Sequence, residues 1–165
     1  MIVLIPLGGT GERFKKAGYS QQKALIPVEG KAIIFWLLDE FCKNNKESLS
    51  QLKCICIPYI PEYAAENLES LLVKRYSDIS FVFVPLSGTT RGAAETVLIG
   101  LNKVGETFPG HDEPVLCLDS DNFYTCNVLK LWGGRNCVFS FFDERPEAIF
   151  SYVEVNEENQ ILQIK

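Results

Sequence analysis

The sequence predicts an α/β protein with a mainly parallel sheet and helices on both faces. Three observations predict it. Strand-like apolar runs alternate with helix-spaced segments over roughly the first 130 residues. The first of those runs, residues 2–7, is continuously apolar rather than alternating, as in a strand buried on both faces. Polar loops rich in Gly or Asp follow several of the runs. Strand–helix alternation places helices on the faces of the sheet, and ligands of such sheets sit beyond the carboxyl ends of the strands. These loops are therefore expected to meet in one cleft.

Each element has a local reason. "IVLIPL", residues 2–7, is an unbroken apolar run and predicts a buried strand. Residues 8–22 form a polar loop that begins within "LGGTGERF". Residues 32–44 carry Ile33, Ile34, Leu37, Leu38 and Phe41 at helical spacing. "LKCICIP", residues 52–58, predicts a second buried strand. Pro61, in a favoured first-turn position, opens a helix with Ala64, Ala65, Leu68, Leu71 and Leu72. "ISFVFVP", residues 79–85, is a third strand, followed by the turn-rich loop "SGTTRG" and a helix over 93–101. "PVLCLDSD", residues 114–121, is a fourth strand that runs into acidic residues, and 125–131 reads as a short helix. Residues 136–142, 150–155 and 161–165 read as later strands, with "NEENQ" as a hairpin turn between the last two.

Bulk composition narrows the function classes. A length of 165 residues suggests one domain with a real core, and 47% hydrophobic residues argue against disorder. The net charge is −5 with Lys and Arg scattered. No basic stripe argues for nucleic acid, and no polybasic cluster argues for a membrane surface. The six cysteines contain no CxxC pair, and several lie in apolar runs, so reduced, packed thiols are expected. "MIVLIPL" is too short for a signal peptide or a membrane span. A cytoplasmic protein is expected.

Gly8, Gly9 and Gly11 let the backbone turn sharply and approach a ligand, and amides of the loop Leu7-Gly8-Gly9-Thr10-Gly11 could cradle phosphate oxygens. The loop lacks the GxxxxGK[ST] spacing of a Walker A. It is not the dinucleotide fingerprint either, because Phe14 stands where the third glycine belongs. Glycines alone serve an ordinary strand-to-loop turn equally well.

The longer stretch "PLGGTGERFKKAGYSQQKALIPVEGKAII" is more specific. It resembles the sugar-1-phosphate nucleotidyltransferases, or nucleoside-diphosphate-sugar pyrophosphorylases. Their signature is an apolar strand, Gly-Gly-x-Gly-x-Arg, and about ten residues later a Lys before Leu and Pro. Gly8, Gly9, Gly11, Arg13, Lys23, Leu25 and Pro27 match it in order and spacing, and Gly30 and Lys31 fall in the family's next loop. Pro6-Leu7 replaces the usual Leu-Ala, Gln22 precedes the lysine where Pro or Ser is common, and Ala32 follows Lys31 where Pro is common.

The resemblance implies a Rossmann-like three-layer α/β/α fold of the nucleotide-diphospho-sugar transferase type. The implied reaction is attack by a phosphate oxygen of a sugar 1-phosphate on the α-phosphorus of a nucleoside triphosphate, with pyrophosphate leaving. Loop amides, a guanidinium, an ammonium and a metal all offset the negative charge of such a reaction. Arg13 has the fork geometry for a pair of pyrophosphate oxygens, and Lys23 is a point charge suited to the α-phosphate and the incoming phosphate.

Gly92 and Ala93, opening the helix after "SGTTRG", resemble the family's small-residue stretch beside the nucleobase. A helix start rich in Ala for its propensity explains them equally. Glu95 falls early in that helix, where a carboxylate suits the macrodipole. In "VLCLDSDNFY", Asp121 best matches the family's strand-end Asp that holds Mg²⁺, and Asp119 completes a D-x-D. Acidic residues capping the next helix are the plainer reading. Tyr152 aligns with a family region near the sugar, although an aromatic in a strand usually packs. His111, Trp36, Trp132, Asp143-Glu144-Arg145 and Glu157-Glu158 read as loop, packing or solvated-turn residues.

Family members typically continue past this point with Glu-Lys-Pro and a later metal-binding Asp. The expectation is thus a nucleotidyltransferase-like domain over residues 1–165, incomplete at its C-terminus, with the nucleotide half of the site present. Many family members are oligomers, so a homo-oligomer is an expectation of the resemblance alone. A cytidylyltransferase for a non-sugar phosphate such as choline phosphate, and a non-catalytic nucleotide-binding domain, remain open alternatives.

Overall fold

A computed structural model describes residues 1–110, 112–132, 135–145, 147 and 151–164. His111, and the terminal residues Phe150 and Lys165 of two predicted strands, lie outside the described residues. The chain divides into two compact units, Met1–Gly133 and Gly134–Lys165.

The first unit is built on four parallel strands: β1 (Ile2–Leu4), β4 (Cys54–Tyr59), β5 (Phe81–Pro85) and β6 (Val115–Cys117). Their spatial order is β5-β4-β1-β6. Between them run α1 (Glu12–Lys16), a 3-10 turn (Lys23–Leu25), the small hairpin β2 (Pro27–Val28) and β3 (Lys31–Ala32), and α2 (Ile33–Asn44). After β4 come α3 (Pro61–Ala65) and α4 (Leu68–Arg75); α5 (Ala93–Thr107) joins β5 to β6, and α6 (Val128–Leu131) follows.

The continuous apolar runs form the central strands, and the twofold strand period sorts their side chains between two cores. Val3, Ile5, Ile55 and Ile57 pack in one core with Ile34, Leu37, Leu38 and Phe41 of α2 and Leu68 and Leu72 of α4. Ile2, Leu4, Cys54 and Cys56 pack in the other with Val104 of α5. The result is the expected three-layer arrangement. Gly100 lets α5 approach: a Cβ there would sit 2.9 Å from Pro58 Cγ and 3.1 Å from Leu4 Cδ1.

Several local expectations change. The β1 ladder stops early because Pro6 has no N–H to donate, though Ile5 N and Leu7 N still donate to Cys56 O and Pro58 O at 2.9 and 2.7 Å. The polar loop contains α1, opened by Gly11 in the left-handed region (φ 66°). The helix from Pro61 is broken in two by Asn67, which is also left-handed (φ 58°). The helix after "SGTTRG" extends beyond 101 to Thr107. The predicted helix over 125–131 contracts to α6, whose first turn is capped by Asn127 Oδ1 accepting from Lys130 N at 2.7 Å.

In the second unit, β7 (Val153–Val155) and β8 (Ile161–Ile164) form an antiparallel hairpin. Asn156 Oδ1 holds its turn by accepting from Glu158 N at 3.1 Å and Gln160 N at 2.9 Å. The strand expected at 136–142 does not form: residues 137–142 are irregular, with Val138, Phe139, Phe141 and Phe142 exposed. β-propensity expresses fit to a paired, half-buried surface, and this run pairs with no strand among the described residues.

All six cysteines are free; Cys54 and Cys56 are buried and Cys42 half-buried, but Cys117, Cys126 and Cys137 are exposed, so only some thiols are packed. Among the described residues, no helix is long and apolar enough to cross a membrane.

Candidate functional site

The strand order locates the site. From β1 the chain steps outward through β4 to β5, then returns to place β6 on the other side of β1. The order reverses between β1 and β6, and a crevice opens at the carboxyl ends of those two strands. The glycine loop leaves β1 there, and the "DSD" stretch leaves β6 there. A cleft of about 570 Å³ lies at this point.

Leu7, Gly8, Gly9, Thr10, Gly11, Arg13, Lys23, Gly92, Ala93, Asp119 and Asp121 all line it. These are all the candidate residues of the first unit. Tyr152 belongs to the second unit and is 50% exposed. Pro6, Glu12, Phe14, Tyr63, Thr90, Thr96 and Ser120 complete the lining, and none of them is a site residue that the sequence predicts.

The glycine loop is packed from below. A Cβ on Gly8 would fall 2.3 Å from Thr96 Oγ1 and 3.2 Å from Thr90 Oγ1. Those two hydroxyls hydrogen-bond to each other at 2.7 Å, and Thr96 Oγ1 also donates to Gly92 O at 3.3 Å. Thr96 is 1% exposed, so only a residue without a side chain fits above it. Gly92 precedes the fifteen residues of α5, whose first turn therefore faces the cleft. Glu95 reaches back to accept from Arg91 N at 2.6 Å and Arg91 Nε at 3.0 Å. The Arg91 backbone bond holds the Glu95 carboxyl below its ordinary value.

Charge converges from three segments. Arg13 lies exposed on the first turn of α1. Lys23 opens the 3-10 turn, and its Nζ sits 2.6 Å from Asp121 Oδ2 and 5.7 Å from the centre of the Phe14 ring. Asp119 Oδ2 accepts from Asn122 Nδ2 at 3.1 Å. No cluster of three or more His, Cys, Asp or Glu that could hold a metal occurs among the described residues. Two carboxylates at a strand end nevertheless suit Mg²⁺, a hard cation that takes one or two carboxylates and keeps water and phosphate as its other ligands.

Tyr63 of α3 is 2% exposed, and its phenol oxygen accepts from Ala24 N at 3.2 Å. Burial, aided by the Glu66 and Asp121 carboxylates, pushes the phenol up to about 12, so it keeps its proton. No sequence signal exposes this residue, since its partner lies 39 positions away.

No protein-family model and no curated protein sequence matches the chain. Solved structures do. A nucleoside-diphosphate-sugar pyrophosphorylase from Vibrio cholerae RC9 aligns over 99% of this chain and 66% of its own, at 19% identity and TM-score 0.71. A Bacillus anthracis protein assigned as glucose-1-phosphate thymidylyltransferase, in complex with a sucrose, aligns over 100% and 64%, at 18% identity and TM-score 0.70. The inositol-1-phosphate CTP transferase from T. maritima aligns over 99% and 62%, at 16% identity and TM-score 0.67. The chain thus spans less than two thirds of the length of each of these structures. At these identities the likeness is one of fold, and the mostly parallel α/β/α fold of this chain is the one those three nucleotidyltransferases share.

Proposed function

We propose that the cleft binds a nucleoside triphosphate with Mg²⁺, and that the chain is the nucleotide-binding part of an enzyme that transfers a nucleotidyl group to a sugar 1-phosphate. The observation that carries this reading is the convergence at the switch point. A glycine loop, a guanidinium, an ammonium and two carboxylates from separate segments line one cleft. The solved structures of like fold bear names of nucleotidyltransferases that use sugar or inositol phosphates, which supports the same class.

In this reading an oxygen of the acceptor phosphate forms a bond to the α-phosphorus, the bond to the bridging α–β oxygen breaks, and pyrophosphate leaves with that electron pair. Amides of residues 8–11 hold phosphate oxygens, and Arg13 pairs with the leaving pyrophosphate. Lys23 neutralises the α-phosphate and the incoming phosphate as they approach. Asp121, with Asp119, would hold Mg²⁺, which supplies Lewis-acid stabilisation of the phosphoryl oxygens. Lys23 and Asp121 are paired with each other at 2.6 Å, so a bound phosphate would compete with the Asp121 carboxylate for the ammonium.

The test is pyrophosphate release from a panel of nucleoside triphosphates with Mg²⁺, with glucose 1-phosphate or choline phosphate as acceptor. Release dependent on the sugar phosphate supports the proposal; release only with choline phosphate favours the non-sugar alternative. Nucleotide binding without release under either acceptor favours a non-catalytic domain. Where turnover is seen, Arg13→Ala and Asp121→Ala should each reduce it at least ~100-fold, because each removes stabilisation of transition-state charge. A folded variant with near-normal turnover refutes that residue's role.

A further inference from the structure

We propose that Tyr63 and Glu66, on and just after α3, are positioning residues that clamp the turn carrying Lys23 and so aim its ammonium into the cleft; this rests on the triphosphate reading above. Lys23 begins a 3-10 turn whose preceding residue, Gln22, makes no side-chain capping bond. The first amides of such a turn have no partner within it. Here two of them are satisfied from outside. Glu66 Oε1 accepts from Gln22 N at 2.8 Å, and the Tyr63 phenol oxygen accepts from Ala24 N at 3.2 Å.

These bonds fall on the residues immediately before and after Lys23, and they come from 44 and 39 positions away in sequence. Tyr63 and Glu66 are three apart, the spacing that puts two side chains on one side of a helical turn. α3 begins two residues after the carboxyl end of β4, so the clamp is anchored to a fully buried strand. Tyr63 is itself 2% exposed and lines the cleft beside Lys23. Lys23 has a long, flexible stem with high rotamer entropy. Fixing the backbone on both sides of it leaves only that stem to be ordered when a phosphate binds.

The clamp predicts coupling to Lys23, which a merely structural role does not. The experiment titrates the full chain with inorganic tripolyphosphate and Mg²⁺, a probe without base or sugar, by calorimetry. Tyr63→Phe and Glu66→Ala should each weaken binding about 5- to 10-fold, in line with one lost hydrogen bond to a positioned group. Glu66→Gln keeps an acceptor oxygen and should stay within about twofold of wild type. In a Lys23→Ala background, Tyr63→Phe and Glu66→Ala should cost nothing further. Equal losses with and without Lys23 overturn the clamp, as does wild-type affinity in both single variants. Should Tyr63→Phe unfold, the Glu66→Ala and Glu66→Gln pair decides, since Glu66 is half-buried and its change leaves the core intact. Failure of the wild-type chain to bind tripolyphosphate overturns the triphosphate reading itself, and the clamp with it.

Discussion

Gly8→Ala isolates one contact on which the cleft depends. The added Cβ would lie 2.3 Å from Thr96 Oγ1 and 3.1 Å from Thr96 Cγ2, against an ordinary contact of 3.4 Å or more. About an ångström of movement is therefore required of the loop or of Thr96. Thr96 cannot yield cheaply. It is buried and β-branched in a helix, and its hydroxyl bonds both Thr90 Oγ1 and Gly92 O. Turning that hydroxyl aside sacrifices two hydrogen bonds worth about 0.5–1.5 kcal/mol each. Overpacking of a filled interior costs about 1–3 kcal/mol, the same range by an independent route. Gly8→Ala should thus lower stability by about 1–3 kcal/mol in urea denaturation. Adding Thr96→Ala removes the two clashing Thr96 atoms and leaves only the milder 3.2 Å approach to Thr90 Oγ1, so the double variant should be more stable than the sum of the singles by at least ~1 kcal/mol. If the loop moves instead, Gly8 and Gly9 amides shift by a distance that can cost up to ~100-fold in a positioned reaction. A Gly8→Ala variant within 0.5 kcal/mol of wild type (about the spread of neutral surface changes), or strictly additive variants, would refute the reasoning.

Further outcomes are expected away from the cleft. Gly100→Ala sets helix propensity, which favours Ala by about 1 kcal/mol, against a Cβ 2.9 Å from Pro58 Cγ and 3.1 Å from Leu4 Cδ1. The close packing should win, with a net loss of about 1 kcal/mol; a more stable variant in urea denaturation contradicts this account of how α5 docks. Asp39 accepts from Lys31 Nζ at 2.9 Å, Arg75 Nη2 at 2.7 Å and Tyr76 Oη at 2.7 Å. Burial raises its carboxyl, but bonds from Arg75, Tyr76 and Lys31 outweigh that and hold it at about 2. A lowered carboxyl contributes stability above its ordinary value of 3.8 and loses it as pH falls through about 2. Asp39 is about a quarter exposed, so screening reduces the contribution to about 1 kcal/mol. Asp39→Asn should therefore be less stable than wild type by about that amount at pH 7, with the gap closing below about pH 4. A gap that stays constant between pH 7 and pH 2 in denaturant titrations sinks the assignment.

How much could be read before the structure depended on range. The apolar run 52–58 declared a buried strand and became β4, which is buried along its whole length, while the run 79–85 declared a strand and became β5, an edge strand whose Phe81 and Phe83 are only half-buried. The loop candidates could be named because backbone permissiveness and charge are properties of the residues themselves. Local breaks were less legible. Asn67 splits the predicted helix through a left-handed φ of 58°, a conformation that Asn tolerates but does not announce. The run at 136–142 has the composition of a strand, yet strand formation needs a partner, which composition cannot supply.

The sequence by itself determined the α/β class, the order of the main elements and the chemistry available at the strand ends, since these follow from hydrophobic period and from residue type. Only the tertiary structure decided which groups meet. It placed β6 beside β1, so that Asp121 faces Lys23 at 2.6 Å. It set Thr96 beneath Gly8, and it brought Tyr63 and Glu66 behind the lysine turn. Each of those contacts joins segments far apart in the chain. Their geometry comes from how two cores fill on opposite faces of one sheet, which no short stretch of residues records.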